Sequence, residues 1–251
     1  MIRAMVAKDV GLLVRDRGAL ISLFVLPLVF IAVFGAMVFE VPSPPGLVPV
    51  AAASPFQVAV PANAVLFGFF LALTVATSFA SDRRTGVWRR LLAAPVSRPA
   101  ALIAALVPYY LVGVVQLVVL FGTGALVFGM QIGGSLAALV ALSLALVYCA
   151  VALGLLFAAV GGSERQLGGM GSVLLLVMGM LGGCMVPRLL MPEAMQAIGL
   201  AVPHAWALVG YYDVLVHPGT GIAQIAPSIG ALLGFGTIFA LIGVARFRFE
   251  S

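Results

Sequence analysis

Charged side chains are scarce in this sequence. Its 251 residues include 13 Lys or Arg and 8 Asp or Glu, so that 8% are charged, whereas a soluble domain carries about 25%. The apolar share is 63%, and the few polar groups cannot cover a water-exposed surface. A lipid bilayer is the solvent in which such a composition is stable, and helices satisfy their own backbone groups there. We therefore predict an all-α membrane protein with a single transmembrane domain over 1–251.

Cysteine and lysine are almost absent, which excludes several kinds of site. Cys149 and Cys184 lie in apolar runs without a Cys-x-x-Cys partner, so we expect small buried side chains and neither a disulfide framework nor a zinc site. The only lysine is Lys8, and there is no Gly-x-x-x-x-Gly-Lys-Ser/Thr motif, the loop that cradles nucleotide phosphates. We predict that this chain binds no metal or other cofactor.

Ionisable residues are also missing from the apolar runs that are long enough to cross a membrane. Carriers driven by protons or sodium usually need such groups at that depth. The pattern argues against a secondary transporter, although sodium bound by backbone oxygens stays open. There is no Gly-x-Ser-x-Gly motif, and His204 and His217 both fall outside these runs. We predict no catalytic residue, and we expect His204, beside Trp206, to be an interfacial side chain.

Five uncharged runs supply six predicted spans, each close to the roughly 20 apolar residues that a crossing takes. The longest, 99–163, is too long for one crossing and is predicted to fold back at the glycine-rich interval 129–135. A loop with five prolines, the last of which is Pro55, is predicted to be irregular. The predicted spans lie at about 19–39, 62–80, 101–128, 136–160, 167–186 and 222–245.

A further uncharged stretch, 194–212, carries Pro203 and His204 at its centre. If it crossed the membrane, the proline would leave a backbone group unpaired in lipid. We predict instead two short helices that enter the outer leaflet and return, forming an outer re-entrant hairpin at 188–213 before the last span. A seventh crossing is the alternative.

Basic residues are distributed unevenly between the two sides of the predicted spans. Short loops rich in Lys and Arg stay in the cytoplasm. With six spans, Arg188 alone falls on the outer side, which predicts that both termini are cytoplasmic. The basic residues on the inner side are Arg3, Lys8, Arg15, Arg17, Arg83, Arg84, Arg89, Arg90, Arg98, Arg165, Arg246 and Arg248.

Two segments outside the spans have the pattern of amphipathic helices. Residues 1–18 are predicted to form an interfacial helix on the cytoplasmic surface. Residues 82–95 are predicted to form a short cytoplasmic helix that ends at Pro95, with Trp88, Leu91 and Leu92 on one face and arginines off it. Such an apolar face fits either a groove on another protein or the lipid headgroups, and both interpretations stay open.

The cytoplasmic segment resembles a known signature. Asp82, Gly86 and the following run are similar to the motif between the second and third spans in permease subunits of type-2 ABC exporters, where the acidic position is usually Glu. The run here is Leu91-Leu92-Ala93-Ala94-Pro95-Val96-Ser97-Arg98. The segments Met191-Pro192-Glu193 and Pro203-His204-Ala205-Trp206 resemble that family's outer hairpin. The segments Arg15-Asp16-Arg17 and Leu26-Pro27-Leu28 resemble its connecting helix.

The resemblance implies the membrane-spanning subunit of an ATP-driven exporter in a bacterial inner membrane. A separate P-loop ATPase would bind ATP and Mg and would dock on the 82–95 coupling helix. A second permease subunit would complete a homodimer or a heterodimer, and nucleic acid would not be a partner. The coupling residues that the resemblance implies are Asp82, Arg83, Gly86, Trp88, Arg89, Leu91 and Leu92.

The resemblance also implies a path for cargo between the first, second and fifth spans, in contact with membrane lipid. An apolar lining suits a lipophilic or amphiphilic compound such as a drug, a natural product or a lipid. The candidate path residues are Phe67, Phe70, Met178 and Trp206, and simple packing between spans is the alternative role of each. The alternative functions are a polysaccharide or haem exporter of the same superfamily, and a non-ABC membrane channel or scaffold.

Overall fold

The computed structural model describes residues 11, 18, 21–38, 54–93 and 97–249, and these contain helices and no strand. Apart from two glycines, the predicted interfacial helix at 1–18 lies outside the described residues. A π-helical turn, Ile21–Val25, leads into the first helix. The helices are α1 (Leu26–Val38), α2 (Pro55–Arg84), α3 (Val87–Leu92), α4 (Arg98–Leu126), α5 (Leu136–Val160), α6 (Glu164–Gly182), α7 (Glu193–Gly199), α8 (Pro203–Val216) and α9 (Ala226–Arg246).

Five of these helices, α2, α4, α5, α6 and α9, are long and apolar enough to cross a membrane. They correspond in order to the last five predicted spans. Where the first span is predicted, the structure has a shorter apolar helix, Ile21–Ala36. The all-helical architecture is therefore confirmed, and the total of six spans stays a prediction.

The second predicted span is longer at both ends than the sequence pattern suggested. Pro55 opens α2 rather than breaking a loop, because a proline in the first turn of a helix loses no hydrogen bond. The backbone amide of Ser54 donates to Gln57 Oε1 at 2.7 Å and so closes that first turn. At the other end α2 continues to Arg84, so Asp82 belongs to this long helix and not to a separate coupling helix.

The predicted break in the run 99–163 is confirmed at the glycine-rich interval. α4 ends at Leu126 and α5 begins at Leu136, and the interval between them packs against the last turn of α8 and the residues that follow it. The amides of Gly133 and Gly134 donate to the carbonyls of Leu215 and Val214 at 3.1 and 2.7 Å. A Cβ on Gly134 would lie 2.6 Å from the carbonyl oxygen of Thr220, so a glycine is required at this position.

α2 is the central helix of the bundle. It is buried along most of its length and packs against α1, α4, α5, α6 and α8, while α9 packs chiefly against α5. Close approach of α2 and α5 depends on Gly154, where a Cβ would lie 2.6 Å from the Cβ of Val75. Small residues allow such approach between helices in a membrane, where van der Waals packing drives association.

Two short helices, α7 and α8, lie where the outer hairpin was predicted. Pro203 stands in the first turn of α8 and not inside a continuous helix, which removes the problem of an unpaired backbone group. α8 has 14 residues and is therefore about 21 Å long, less than the hydrocarbon thickness of about 30 Å. The two-helix form agrees with the prediction, and its depth in the membrane stays a prediction.

Different parts of the chain meet at the two ends of the bundle. At one end, Gln57 Nε2 donates to the carbonyls of Leu215 and Gln131 at 2.8 and 3.1 Å. This joins the start of α2, the interval between α4 and α5, and the end of α8. At the other end, the ring of Trp88 in α3 packs against Phe247, directly after α9. The end of α8 and the end of α9 therefore lie at opposite ends of the bundle.

Candidate functional site

The predicted coupling segment is a helix–turn–helix at one end of the bundle. α2 ends at Arg84, the chain turns at Thr85 and Gly86, and α3 follows. Gly86 has a φ of +70°, a left-handed conformation that costs a side-chain-bearing residue about 1 kcal/mol or more. Thr85 Oγ1 donates to the carbonyl of Ser81 at 2.9 Å and fixes the turn. Gly86 therefore sets the angle at which α3 leaves α2.

Trp88 is buried within its own chain, with 2% of its surface exposed. Its ring lies 5.1 Å from that of Phe79, 5.3 Å from Phe247 and 5.6 Å from Phe249. Its Nε1 donates to the carbonyl of Phe79 at 3.3 Å. The expectation that Trp88 forms a free apolar face is therefore wrong, because the chain after the last span returns to cover it.

The exposed face of α3 is basic. Arg89 and Arg90 are exposed, whereas Leu91 and Leu92 are half-buried and Leu91 packs against the core. Arg84, just before the turn, is also exposed and its Nε lies 3.1 Å from Glu164 Oε1, in the first turn of α6. An ion pair at such exposure contributes under about 1 kcal/mol. The segment therefore presents positive charge, and its leucines face inward.

Arg83 and Asp82 lie in the last turn of α2 and are half-buried. The guanidinium of Arg83 donates to the carbonyl of Ala158 at the end of α5. It also lies over the ring of Phe247, 4.9 Å from the centroid. Arg83 is thus tied to two other helices, and its part in this segment is to join α2 to them.

The four predicted path residues are only partly brought together. Phe67 lies 5.9 Å from Phe70 and 5.5 Å from Phe30 of α1, measured between ring centroids. Met178 is half-buried on α6. Trp206 is half-buried too, and its Nε1 donates to the carbonyl of Leu200 at 2.9 Å, which closes the turn between α7 and α8. None of the four lines the cavity near the start of α2, at the end of the bundle that is predicted to be external.

This cavity, named the outer cavity after its predicted side, has a volume of about 200 Å³ and lies between α1, α2, the chain after α6, and α8. Its walls are mainly apolar, with Phe30 and Phe34 on one side. Asn63 of α2 and Tyr212 of α8 supply polar groups. The hydroxyl of Tyr212 is buried and has no hydrogen-bond partner within the described chain. The cavity can therefore accept an apolar molecule, and the Tyr212 hydroxyl lies beneath its wall.

The cavity lies where the first, second and fifth predicted spans meet α8, but other side chains than the predicted ones line it. The cargo path itself stays a prediction. An apolar run with one amide at Asn63 was the available signal, because an amide there needs a structural or binding reason. Part of that reason is structural, since Asn63 Nδ2 donates to the carbonyl of Ala59 at 2.8 Å. Tyr212 carried no comparable signal, because its position in the cavity depends on how α8 packs.

His204 was expected at the interface and is instead fully buried. Its ring stacks on Phe69 with centroids 4.0 Å apart, and neither ring nitrogen has a partner among the described residues. The imidazole of His204, buried without a partner among these residues, is expected to be neutral, because burial disfavours its charged form. It serves as a flat packing surface between α8, α2 and the end of α6.

Two comparisons place the chain among known proteins. Residues 1–216 match the model of a protein family described as ABC-2 type transporter. The chain belongs to this family. It is 30% identical over 185 residues to the linearmycin resistance permease protein LnrN of Bacillus subtilis (strain 168), an alignment that includes 73% of this chain and 47% of that protein. The chain thus spans about half the length of the relative.

The family assignment makes the chain a multi-pass membrane transporter component of the bacterial plasma membrane, and not a catalytic domain. The coupling segment and the outer cavity both lie within the matched residues 1–216. Phe247 and Phe249, which cover Trp88, lie beyond them. The contact that buries Trp88 therefore joins the matched part of this permease to the chain after its last span.

Proposed function

We propose that this chain is the membrane-spanning subunit of an ATP-driven exporter that moves a lipophilic or amphiphilic compound out of the cell. Drugs, natural products and lipids are the cargo classes concerned. The family supports a transport role, and the name of the relative, a linearmycin resistance permease, supports export of a natural product. The observation that carries the cargo class is the outer cavity, whose walls are apolar.

ATP hydrolysis belongs to a separate P-loop ATPase in this proposal, which would hold ATP and Mg, because the sequence here has no phosphate-binding loop. The ATPase docks on the exposed arginines Arg84, Arg89 and Arg90. Charge complementarity steers such an association and fixes its register. Trp88, Leu91 and Leu92 hold α3 in place from behind, and Asp82, Arg83 and Gly86 set the geometry of the turn.

A second permease subunit completes the transporter, as a homodimer or a heterodimer. The lining of the outer cavity does not favour a polysaccharide or a haem exporter. The polar groups in this lining are one amide, one phenol and one thiol, from Asn63, Tyr212 and Cys184. It holds no basic side chain to pair with the carboxylates of a haem, and too few polar groups to bind the many hydroxyls of a polysaccharide.

Co-purification tests the proposal. The tagged chain, expressed together with candidate P-loop ATPases from the same genome, should retain one of them through membrane extraction. Linearmycin or another lipophilic natural product should stimulate ATP hydrolysis by that complex. A variant ATPase without its P-loop lysine provides the background rate. Failure to retain any P-loop ATPase would contradict the proposal. Stimulation by an activated sugar polymer, and not by lipophilic compounds, would favour the polysaccharide alternative.

A further inference from the structure

The segment after α9 has an extended backbone that directs alternate side chains to opposite sides. Phe247 has φ −66° and ψ +119°, and in such a conformation residues two apart share a face. Phe247 is 7% exposed and Phe249 is half-buried, while Arg248 between them is exposed. The two rings therefore point to the same side, and that side is occupied by Trp88.

Four rings form one aromatic cluster here: Phe79, Trp88, Phe247 and Phe249. Phe247 and Phe249 meet each other at 5.0 Å and are both edge-on to Trp88, with interplanar angles of 68° and 79°. Phe247 also meets Phe79 at 5.8 Å. Edge-to-face pairs at these separations are favourable beyond the area that they bury.

Two arginines cover the outer faces of the cluster. Arg83, at the end of α2, lies 4.9 Å above the ring of Phe247, and Arg98, at the start of α4, lies 5.6 Å above that of Phe249. A guanidinium within about 6 Å of an aromatic centroid is attracted to the ring face. The aromatic cluster thus connects α3 to the ends of α2, α4 and α9.

α3 depends on this cluster because Trp88 is its main anchor. It has six residues, of which only Trp88 is buried, and a helix of that length is not stable by itself. Leu91 packs against the core beside it, but the groups that surround Trp88 make the largest contribution to holding α3 in position. Two of the three rings around Trp88 come from the segment after α9.

We propose that Phe247 and Phe249 are positioning residues that hold α3, through Trp88, in the orientation that the ATPase binds. This inference rests on the proposed function, in which α3 is the docking helix. Movement of α3 on ATP binding is then transmitted directly to α9 as well as to α2, because the same rings contact both. The last span becomes part of the coupling path, although it lies outside the coupling segment in sequence.

Fluorescence of Trp88 measures the contact itself. Trp206 is the only other tryptophan, so a Trp206→Phe background isolates the signal of Trp88. In that background Phe247→Leu/Phe249→Leu should shift the emission of Trp88 to longer wavelength, since its ring loses two aromatic neighbours and becomes more exposed to water. Phe235→Leu/Phe239→Leu removes a ring pair with centroids 6.0 Å apart on α9 itself and should leave the emission unchanged.

The consequence for coupling is measured with native Trp206, by titrating the purified chain with its P-loop ATPase. Phe247→Leu/Phe249→Leu should weaken the affinity about fivefold, the scale of one aromatic pair. Phe249→Leu alone should also weaken the affinity, whereas Phe249→Tyr, which keeps the aromatic ring, should bind the ATPase as the unchanged chain does. Phe235→Leu/Phe239→Leu should bind as the unchanged chain does. If the double variant proves too unstable to purify, Phe249→Leu alone provides the same comparison at a half-buried site.

The outcomes separate this inference from the proposed function. If the unchanged chain does not bind the ATPase, both the proposed function and this inference are contradicted. Normal binding by the unchanged chain, together with unaltered affinity in the leucine variants, would overturn the inference alone, whether or not the emission of Trp88 moves. Weakened affinity without an emission shift would also overturn it, because the rings would then act by another route.

Discussion

At the scale of single residues, the hydroxyl of Tyr212 is the most informative group in the outer cavity. It is buried and unpaired within the described chain, and leaving such a group without a partner costs about 1–3 kcal/mol. A cargo molecule with a hydrogen-bond acceptor would recover part of that free energy if its entry displaced the side chains that cover the hydroxyl. Tyr212 would then select among apolar compounds for those that carry an acceptor.

The variant Tyr212→Phe should therefore weaken cargo binding without lowering the stability of the fold. The variant should keep or slightly raise thermal stability, since it removes the unpaired hydroxyl, and should weaken binding of acceptor-bearing cargo up to about tenfold. The measurement is the cargo concentration that gives half-maximal stimulation of ATP hydrolysis. Tyr148→Phe is the control, because its hydroxyl meets Thr237 between α5 and α9, away from the cavity. Equal values for both variants and the unchanged chain would contradict a role for Tyr212.

Gly86 is the second residue whose role follows from its conformation. Gly86→Ala forces a side chain into a positive φ, which should lower the free energy of unfolding by about 1 kcal/mol and turn α3 away from its position. Gly129→Ala is a matched control, since Gly129 has φ +64° and open space around it at the other end of the bundle. We expect similar losses of thermal stability in both variants, and loss of ATPase binding in Gly86→Ala alone. Loss of ATPase binding in both would show that strain, and not the position of α3, is responsible.

At the scale of elements, the exposed arginines of α3 form the proposed docking surface for the ATPase. Arg89→Gln/Arg90→Gln should weaken the ATPase complex and make the remaining affinity less dependent on salt, because the charges that steer association are removed. Arg165→Gln/Arg246→Gln removes two exposed charges at the same end of the bundle and should have little effect. Affinity measured across a range of ionic strength distinguishes the two variants. An equal salt dependence in both would mean that net charge alone matters.

The elements were predictable to the extent that local patterns decide them. Hydropathy located α4, α5 and α9 to within a few residues, and the glycine-rich interval located the break between α4 and α5. The start of α2 was misplaced because a proline at the first turn is locally indistinguishable from one in a loop. The helical pattern also placed Trp88 and Leu91 on one apolar face of α3 correctly. The sequence pattern does not show, however, which partner residue packs against that face. That partner, Phe247, is supplied by the packing of α9 against α5, which no local pattern contains.

The outer cavity could not be predicted from the sequence, for a related physical reason. The apolar side chains that line it, such as Phe30 and Leu66, are of the same types as those that fill the core, such as Phe69 and Leu71. A cavity exists where packing is incomplete, and this depends on the angles between helices and not on residue type. The sequence could therefore suggest spans for a path and could not indicate which side chains line this cavity.

At the scale of the whole molecule, the contacts at the two ends of the bundle bear on the number of crossings. Residues 214–220 bond to the interval between α4 and α5, and the segment after α9 packs on α3. If α3 is cytoplasmic, α4 leads outward and the interval 127–135 is external. The chain between α6 and α9 then begins and ends at the outer end, as a hairpin requires. α8 would not cross, and α9 would return the chain to the cytoplasm.

Labelling of single cysteines tests this topology in intact cells. In a background with Cys149 and Cys184 replaced by alanine, Pro218→Cys should react with a membrane-impermeant thiol reagent, because residue 218 is exposed and lies at the outer end. Thr85→Cys and Arg248→Cys, both at exposed positions of the opposite end, should react only after the membrane is made permeable. A crossing α8 predicts the reverse for Pro218→Cys and Arg248→Cys while leaving Thr85→Cys protected. The pattern of the three sites thus distinguishes a hairpin from a seventh span. Labelling of Thr85→Cys in intact cells would show that the predicted orientation in the membrane is reversed.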